Sequence, residues 1–309
     1  MSGKGAPAFS LSNDAAIYSP EQNKELIFTK DTLVAGVHFF ENDDPFLVAQ
    51  KSLRVNLSDL ASMGAQPLGY LLSLSLPKKN FDIEKWLAAF SAGLKQDQER
   101  YNWKLWGGDT VSTSGPVTIS VTAIGQTDKG VNISRSGAKV GDDIYVSGTL
   151  GDAAGGLVVL QDDLDRTLYD ELINRYYLPE PRLKLGRALT EIITSMMDVS
   201  DGLMGDISHI CENSGVGAIL NLEKIPSSQV FGNLLATNKA YSRLAWSGGD
   251  DYELLFTAPK NKNAVIKNLS DELGIKLTKI GEITKALQIK LLDDDGSEIT
   301  QTKKGFRHF

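Results

Sequence analysis

Phe46, Ala49, Leu53, Leu57, Leu60 and Gly64 follow one another at steps of three or four residues, the period of an amphipathic helix that packs one stripe against a core. The stretch from Lys51 to Gly64 is therefore committed to a helix. Lys51, Arg54 and Ser58 fall on the opposite flank, where water is expected to solvate them. Asp59 sits at the border of the packed stripe, one turn after Asn56, with no Lys or Arg three or four positions away. A lone carboxylate is costly to desolvate. Two readings of Asp59 stand open: an exposed charge at a helix edge, or a ligand facing a metal ion.

Composition narrows the class. With 309 residues, 41% of them hydrophobic, the chain can bury a substantial core and by size is expected to form two domains. No run of about 18 apolar residues occurs, so no membrane span and no membrane partner are expected. Residues 1–7 lack the apolar segment of a secretory signal, and the single cysteine, Cys211, cannot close an intramolecular disulfide. Both features fit a cytoplasmic protein. The net charge of −7 lies in the second half of the chain. No basic run offers a face to a phosphate backbone, so nucleic acid is not an expected partner. Three widely spaced histidines, His38, His209 and His308, and one cysteine do not make a zinc site. A metal here should be a hard cation bound by oxygen.

Taken in order, residues 15–18 and 25–29 are short apolar runs expected to pair as a hairpin, the second ending at Thr29-Lys30-Asp31-Thr32. A strand that stops at a carboxylate flanked by hydroxyls presents oxygen ligands from a rigid edge. The helix is expected to stop at Gly64 before Pro67, with a buried strand over 68–76 and a second long helix over 83–100. Gly107 and Gly108, before Asp109, suggest a backbone that approaches a bulky anion closely. A strand over 117–124 completes the first half, and the polar, Gly-rich segment 132–142 marks the domain boundary. This gives domains of 1–140 and 141–309. In the second half, a strand over 143–147 runs through Gly148 and Gly151 into a helix near Ala153; the Gly-Lys-Ser/Thr of a Walker loop is missing, so this is a structural turn. Helices are expected over 172–177, 183–194 and 203–213, with His209 and Cys211 assigned to packing. Trp246-Ser247-Gly248-Gly249-Asp250 reads as a second copy of Trp106-Gly107-Gly108-Asp109.

Asp14, Asp31, Asp59, Asp109, Asp198, Asp201, Asp250 and Asp251 each end an apolar run or adjoin glycine. Any one of them alone reads as a turn or cap residue. Together they suggest carboxylates that converge around divalent cations, and Mg²⁺ takes hard oxygen ligands while keeping waters and substrate phosphates. The inferred ligand class is a Mg²⁺-nucleotide. Proton-transfer catalysis by carboxylates would need only two of them, in different environments.

Six segments carry a resemblance: Asp31-Thr32-Leu33-Val34-Ala35-Gly36 with His38; Val55 to Ala61; Gly107-Gly108-Asp109-Thr110; Arg135-Ser136-Gly137-Ala138; Asp198 to Leu203; and Ser247 to Leu254. In this order, over nearly the whole chain, they are similar to the thiamine-monophosphate kinase family. The resemblance implies an α/β (α+β), two-domain fold of the aminoimidazole-ribonucleotide-synthetase-like superfamily, with an N-terminal domain that dimerises through its sheet and a C-terminal α+β domain. It implies transfer of the γ-phosphoryl group of ATP to thiamine monophosphate, giving thiamine diphosphate, in a homodimer. By position, Asp14, Thr29, Asp31, Asp59, Asp109, Asp198 and Asp201 resemble that family's Mg²⁺ ligands. Gly108, Asp109, Arg135, Ser200 and Tyr101 resemble its ATP contacts, and His38, Asp250 and Phe306 its substrate contacts. Asp59, Asp109, Asp31 and Arg135 are the expected catalytic set.

Three features depart from the pattern. Ser12-Asn13-Asp14 stands where the family has Gly-Asp-Asp, Lys30 where it has a hydroxyl residue, and residues 1–9 where it has a short helix. Lys30 would either stand in for one ion or weaken ATP binding. The competing readings are another ATP-using superfamily member, acting on an amide or formyl oxygen or on selenide, and a non-catalytic Mg²⁺-nucleotide sensor. Selenide is disfavoured by the lack of an N-terminal cysteine.

Overall fold

The computed structural model describes residue 4, residues 7–79 and residues 81–299. Contacts divide the chain into two units, the first comprising residues up to Leu60 with Ala65–Val131, the second Ala61–Gly64 with the residues from Asn132 onward.

The first unit runs β1 (Lys24–Val34), α1 (Pro45–Ser62), β2 (Gln66–Pro77), α2 (Ile83–Tyr101), β3 (Lys104–Thr113) and β4 (Thr118–Asp128). Helix α1 begins where Pro45 occupies the first turn, a position that has no use for its missing N–H, and the Asp44 carboxylate accepts the Phe46 N–H at 2.9 Å. It ends at Gly64, whose φ of +63° costs a glycine little. The expected wet flank of this helix is buried: Lys51, Arg54 and Ser58 are all closed off from water. The reason is α2. Arg54 grips Asp97 through Nε at 2.7 Å and Nη2 at 3.0 Å, and Gln50 donates to Gln96 and Asp97 at 2.8 Å. Lys51 reaches the His38 carbonyl at 3.3 Å. A non-local ion pair thus replaces solvent.

The sheet order is β1-β4-β2-β3. β1 pairs along its whole length with β4, antiparallel; residues 15–18 form no strand, so the expected hairpin does not exist. Strand β1 also continues past Asp31 to Val34, and Asp31 is an interior strand residue. β2 alternates buried and exposed positions instead of being buried throughout. The sheet is mixed, β2 pairing antiparallel with β4 and parallel with β3, and its open side shows Phe28, Leu71 and Val111, 62, 40 and 50% exposed, as expected of a sheet covered on one face.

The second unit contains β5 (Asp143–Ser147), α3 (Asp152–Gln161), α4 (Asp170–Tyr177), α5 (Leu183–Leu189), β6 (Ser195–Asp198), α6 (Leu203–Ser214), β7 (Gly217–Asn221), α7 (Gln229–Thr237), α8 (Leu244–Ser247), β8 (Leu254–Ala258), α9 (Asn263–Leu273), β9 (Leu277–Thr284) and β10 (Ile289–Leu292). Its sheet order is β10-β7-β9-β5-β8-β6. Ile144, Val146, Leu255 and Ile280 from the sheet pack with Leu203, Ile207 and Cys211 of α6 in one core, and the buried thiol is pushed up to about 11 by that burial and by Glu212. The two Gly-Gly-Asp segments are not structural copies: 107–109 lie within β3, whereas 248–253 form an irregular segment between α8 and β8. No helix among the described residues is long and apolar enough to cross a membrane.

Candidate active site

In the first unit the chemistry gathers where β1 meets α1. Thr29 on β1 donates its hydroxyl to the Asp59 carboxylate on α1. One residue pair along the strand, the Asp31 N–H donates to the Asn56 side-chain oxygen at 3.2 Å, and Asn56 is itself oriented by its amide donating to the Ser52 carbonyl at 2.9 Å. Because β1 is an edge strand, its outward N–H is free for such a side chain. Burial, and then the neighbouring Asp59 charge, push the Asp31 carboxyl up to about 7. Two carboxylates crowded in this way gain from a cation between them. The donor set is carboxylate, carboxylate and hydroxyl, all hard oxygen, and fits Mg²⁺.

The five predicted metal ligands of the first unit, Asp14, Thr29, Asp31, Asp59 and Asp109, do not form one cluster. Among the described residues no three His, Cys, Asp or Glu side chains come close enough to hold an ion unaided. Asp31, Asp59 and Thr29 are together. Asp109 is exposed on β3, the opposite edge of the sheet from β1, about 14 Å away at the usual strand spacing. Its carboxylate accepts the Thr110 N–H at 2.8 Å. Asp14 is exposed beside a cavity of about 550 Å³ lined also by Tyr18, Phe28, Trp106, Gly107 and Gly108, in which Tyr18 stacks on Trp106 with centroids 5.0 Å apart. Gly108 has a structural demand of its own. A Cβ there would lie 1.9 Å from the Leu72 carbonyl oxygen on β2, so its bareness serves strand pairing.

Among the other predicted contacts in this unit, His38 accepts the Val34 N–H through Nδ1 at 3.0 Å in the turn after β1. Tyr101 closes α2 with the guanidinium groups of Arg54 and Arg100 over its ring at 5.7 and 5.3 Å. Lys30 is exposed, one strand position from both Thr29 and Asp31, so its side chain leaves β1 on the other face. That geometry is against Lys30 replacing an ion beside Asp59.

In the second unit, Asp198 ends β6 and is buried, while Ser200 and Asp201 lie in the turn before α6. Asp206 on α6 was not singled out by sequence, yet its carboxylate accepts the Gly202 N–H at 3.1 Å. Burial first, then the charges of Asp198 and Asp201, push its carboxyl well above the usual range. Its signal was an acidic residue in the first turn of a helix. The turn is tied to the segment carrying Asp250: the Asp250 N–H donates to the Ser200 carbonyl at 2.9 Å and the Tyr252 N–H to Val199 at 2.8 Å. Asp250 and Tyr252 have φ of +69° and +51°. Asp251 points the other way, capping α3 by accepting the N–H groups of Gly151 at 2.7 Å and Ala153 at 3.1 Å. Burial pushes its carboxyl up to about 8 against the pull of Arg175 and those donors. Arg135 is exposed. Phe306 lies outside the described residues.

Comparison with known proteins covers both units. Residues 12–127 match the model of the AIR synthase related protein N-terminal domain and residues 139–294 that of its C-terminal domain. The chain is 40% identical over 302 residues to the thiamine-monophosphate kinase of Escherichia coli strain K12, covering 97% of this chain and 91% of that protein. It is 34% identical to the Bacillus subtilis strain 168 thiamine-monophosphate kinase, over 97% of this chain and 93% of that one. Among solved structures, the thiamine-monophosphate kinase of Stenotrophomonas maltophilia K279a superposes with a TM-score of 0.85 at 39% identity, over 94% of this chain and 91% of the other. AaThiL complexed with AMPPCP and TMP superposes with a TM-score of 0.82 at 30% identity, over 97 and 94%.

Proposed function

The chain belongs to the thiamine-monophosphate kinases of the AIR-synthase-related family, and from that premise we propose that it transfers the γ-phosphoryl group of ATP directly to thiamine monophosphate. The observation that carries the chemistry is the oxygen set of Thr29, Asp31 and Asp59 between β1 and α1, in which burial and then the Asp59 charge raise the Asp31 carboxyl.

An oxygen of the acceptor phosphate attacks the γ-phosphorus. The new P–O bond forms as the bond to the β–γ bridging oxygen breaks, and ADP leaves with that electron pair. A phosphate monoester is already ionised near neutral pH, so no general base is needed. The difficulty is bringing two polyanions into line, and the rate rests on positioning and charge neutralisation. Mg²⁺, when bound, supplies that neutralisation between the phosphates. Several ions are expected: Asp31, Asp59 and Thr29 would hold one on the first unit, Asp14 beside the cavity and Asp109 on the β3 edge would serve others, and Asp198 and Asp201 would be the ligands that the second unit offers. Arg135 offers a planar fork suited to ATP phosphates. Gly108, Asp109, Ser200 and Tyr101 contact the nucleotide, and His38, Asp250 and Phe306 the acceptor.

Residues 1–140 take ATP and Mg²⁺ binding and dimerisation, and 141–309 form the second domain. Pairing of two copies through the N-terminal sheet is supported by the exposed Phe28, Leu71 and Val111 on its open side. The cytoplasm is the compartment that suits a chain with one unpaired thiol. Incubation with ATP, Mg²⁺ and thiamine monophosphate, followed by chromatography, is expected to yield thiamine diphosphate. ADP without it, or nucleotide binding without turnover, contradicts the assignment in favour of another acceptor or a sensor.

A further inference from the structure

Glu253 is fully buried, and two guanidinium groups converge on it. Arg182 makes a bidentate pair, Nε to Oε2 at 2.7 Å and Nη2 to Oε1 at 2.5 Å. Arg175 Nη2 bridges Glu253 Oε1 at 2.9 Å and the Asp251 carbonyl at 3.1 Å. The Ser147 hydroxyl adds a further bond at 2.6 Å. A Cβ on Gly148 would fall 2.2 Å from Glu253 Oε1, so the turn after β5 is bare where the carboxylate sits. Two residues earlier, Asp251 is locked onto the start of α3.

Between and beside these two anchors stand Asp250 and Tyr252, both with left-handed backbones, which is unusual for aspartate and an outlier for an aromatic residue. Such strain persists only where its surroundings over-determine it, and it clusters at ligand clamps. The alternation makes the purpose legible: Asp251 and Glu253 point into the protein and are held, while Asp250 and Tyr252 are partly exposed and joined at 3.4 Å through the Tyr252 hydroxyl.

We propose that Glu253, with Arg175 and Arg182, is a positioning clamp that holds the strained segment 250–252 in the shape that binds the acceptor. This rests on the reading of Asp250 as an acceptor contact given above. None of the three clamp residues need touch substrate; they fix the loop that does.

The test is Arg182→Lys, which keeps the charge and loses the fork, alongside Glu253→Gln. In Arg182→Lys the KM for thiamine monophosphate should rise about tenfold, the worth of one hydrogen bond to a charged group, with the KM for ATP and kcat changed less than about threefold. Calorimetric binding of thiamine monophosphate should weaken in parallel, and Glu253→Gln should show the larger effect. If Glu253→Gln does not fold, Arg182→Lys decides. An active wild type whose Arg182→Lys form is only less thermostable, or loses ATP and acceptor affinity equally, overturns the clamp alone. A wild type that forms no thiamine diphosphate overturns the functional reading and the clamp with it.

Discussion

The Thr29 hydroxyl donates to the Asp59 carboxylate, joining the middle of an edge strand to the helix that covers it. That bond sets Asp59 beside Asp31, whose carboxyl is made harder to ionise by burial and then by the Asp59 charge. Helix α1 itself is braced by the buried Arg54 and Asp97 pair from behind. The candidate metal site is thus built on rigid elements with supporting contacts, the arrangement that precise positioning requires.

Asp59→Asn keeps the side chain's shape and an acceptor for Thr29 while removing its charge. Turnover should fall by about two to four orders of magnitude, the scale of lost electrostatic stabilisation, with the thermal midpoint little changed. Activity close to wild type in a steady-state assay rules Asp59 out as a ligand.

The pH dependence of Mg²⁺ binding follows from Asp31. Its carboxyl is raised from 3.8 to about 7 in the metal-free fold, so the stability it contributes is fully present below 3.8 and is lost as pH rises through about 7. Mg²⁺ binds the ionised form. Its affinity should therefore climb up to and past neutrality, with proton release on binding at about pH 6 that fades by about pH 8.5. Calorimetry with a non-hydrolysable ATP analogue, in buffers of different ionisation enthalpy, reads this directly. Equal proton release at both pH values contradicts it.

Asp97→Asn leaves the Arg54 guanidinium buried, 4% exposed, without its counter-charge. Breaking a buried pair from one side costs about 3–5 kcal/mol. Urea unfolding should show that loss, and the KM for ATP should also rise as α1 shifts. A loss below about 1 kcal/mol would place the pair among exposed, weakly coupled charges.

Gly108→Ala drives a methyl group into the Leu72 carbonyl oxygen. The overpacking should cost about 1–3 kcal/mol, visible in thermal unfolding with or without nucleotide. A variant that loses ATP affinity at unchanged stability would show Gly108 to serve the nucleotide alone.

The parts of this chain legible in sequence are those encoded by local period. The 3.6-residue stripe from Phe46 to Gly64 gives α1, and the glycine at its end gives its stop. What failed was non-local. Lys51 and Arg54 read as solvated because their partners, the His38 carbonyl and Asp97, are 13 and 43 positions away. The strand holding Asp31 finds its partner at Val121 of β4, and no short-range signal names that pairing. Gly-Gly-Asp recurs in letters after a tryptophan, with Ser247 inserted in the second case, but one copy pairs within a sheet and the other follows a helix. Asp31 and Asp59 were found as ligand candidates, yet their contact through Thr29 and Asn56, and the grip of Arg175 and Arg182 on Glu253, are products of the fold.

The most direct measurement follows the fate of the γ-phosphate. With γ-labelled ATP, Mg²⁺ and thiamine monophosphate, the label should appear in the terminal phosphate of thiamine diphosphate, one ADP formed per label transferred, and the transfer should collapse in Asp59→Asn. Label released only as inorganic phosphate, or transfer that survives intact in Asp59→Asn, contradicts a kinase whose phosphoryl transfer depends on this site.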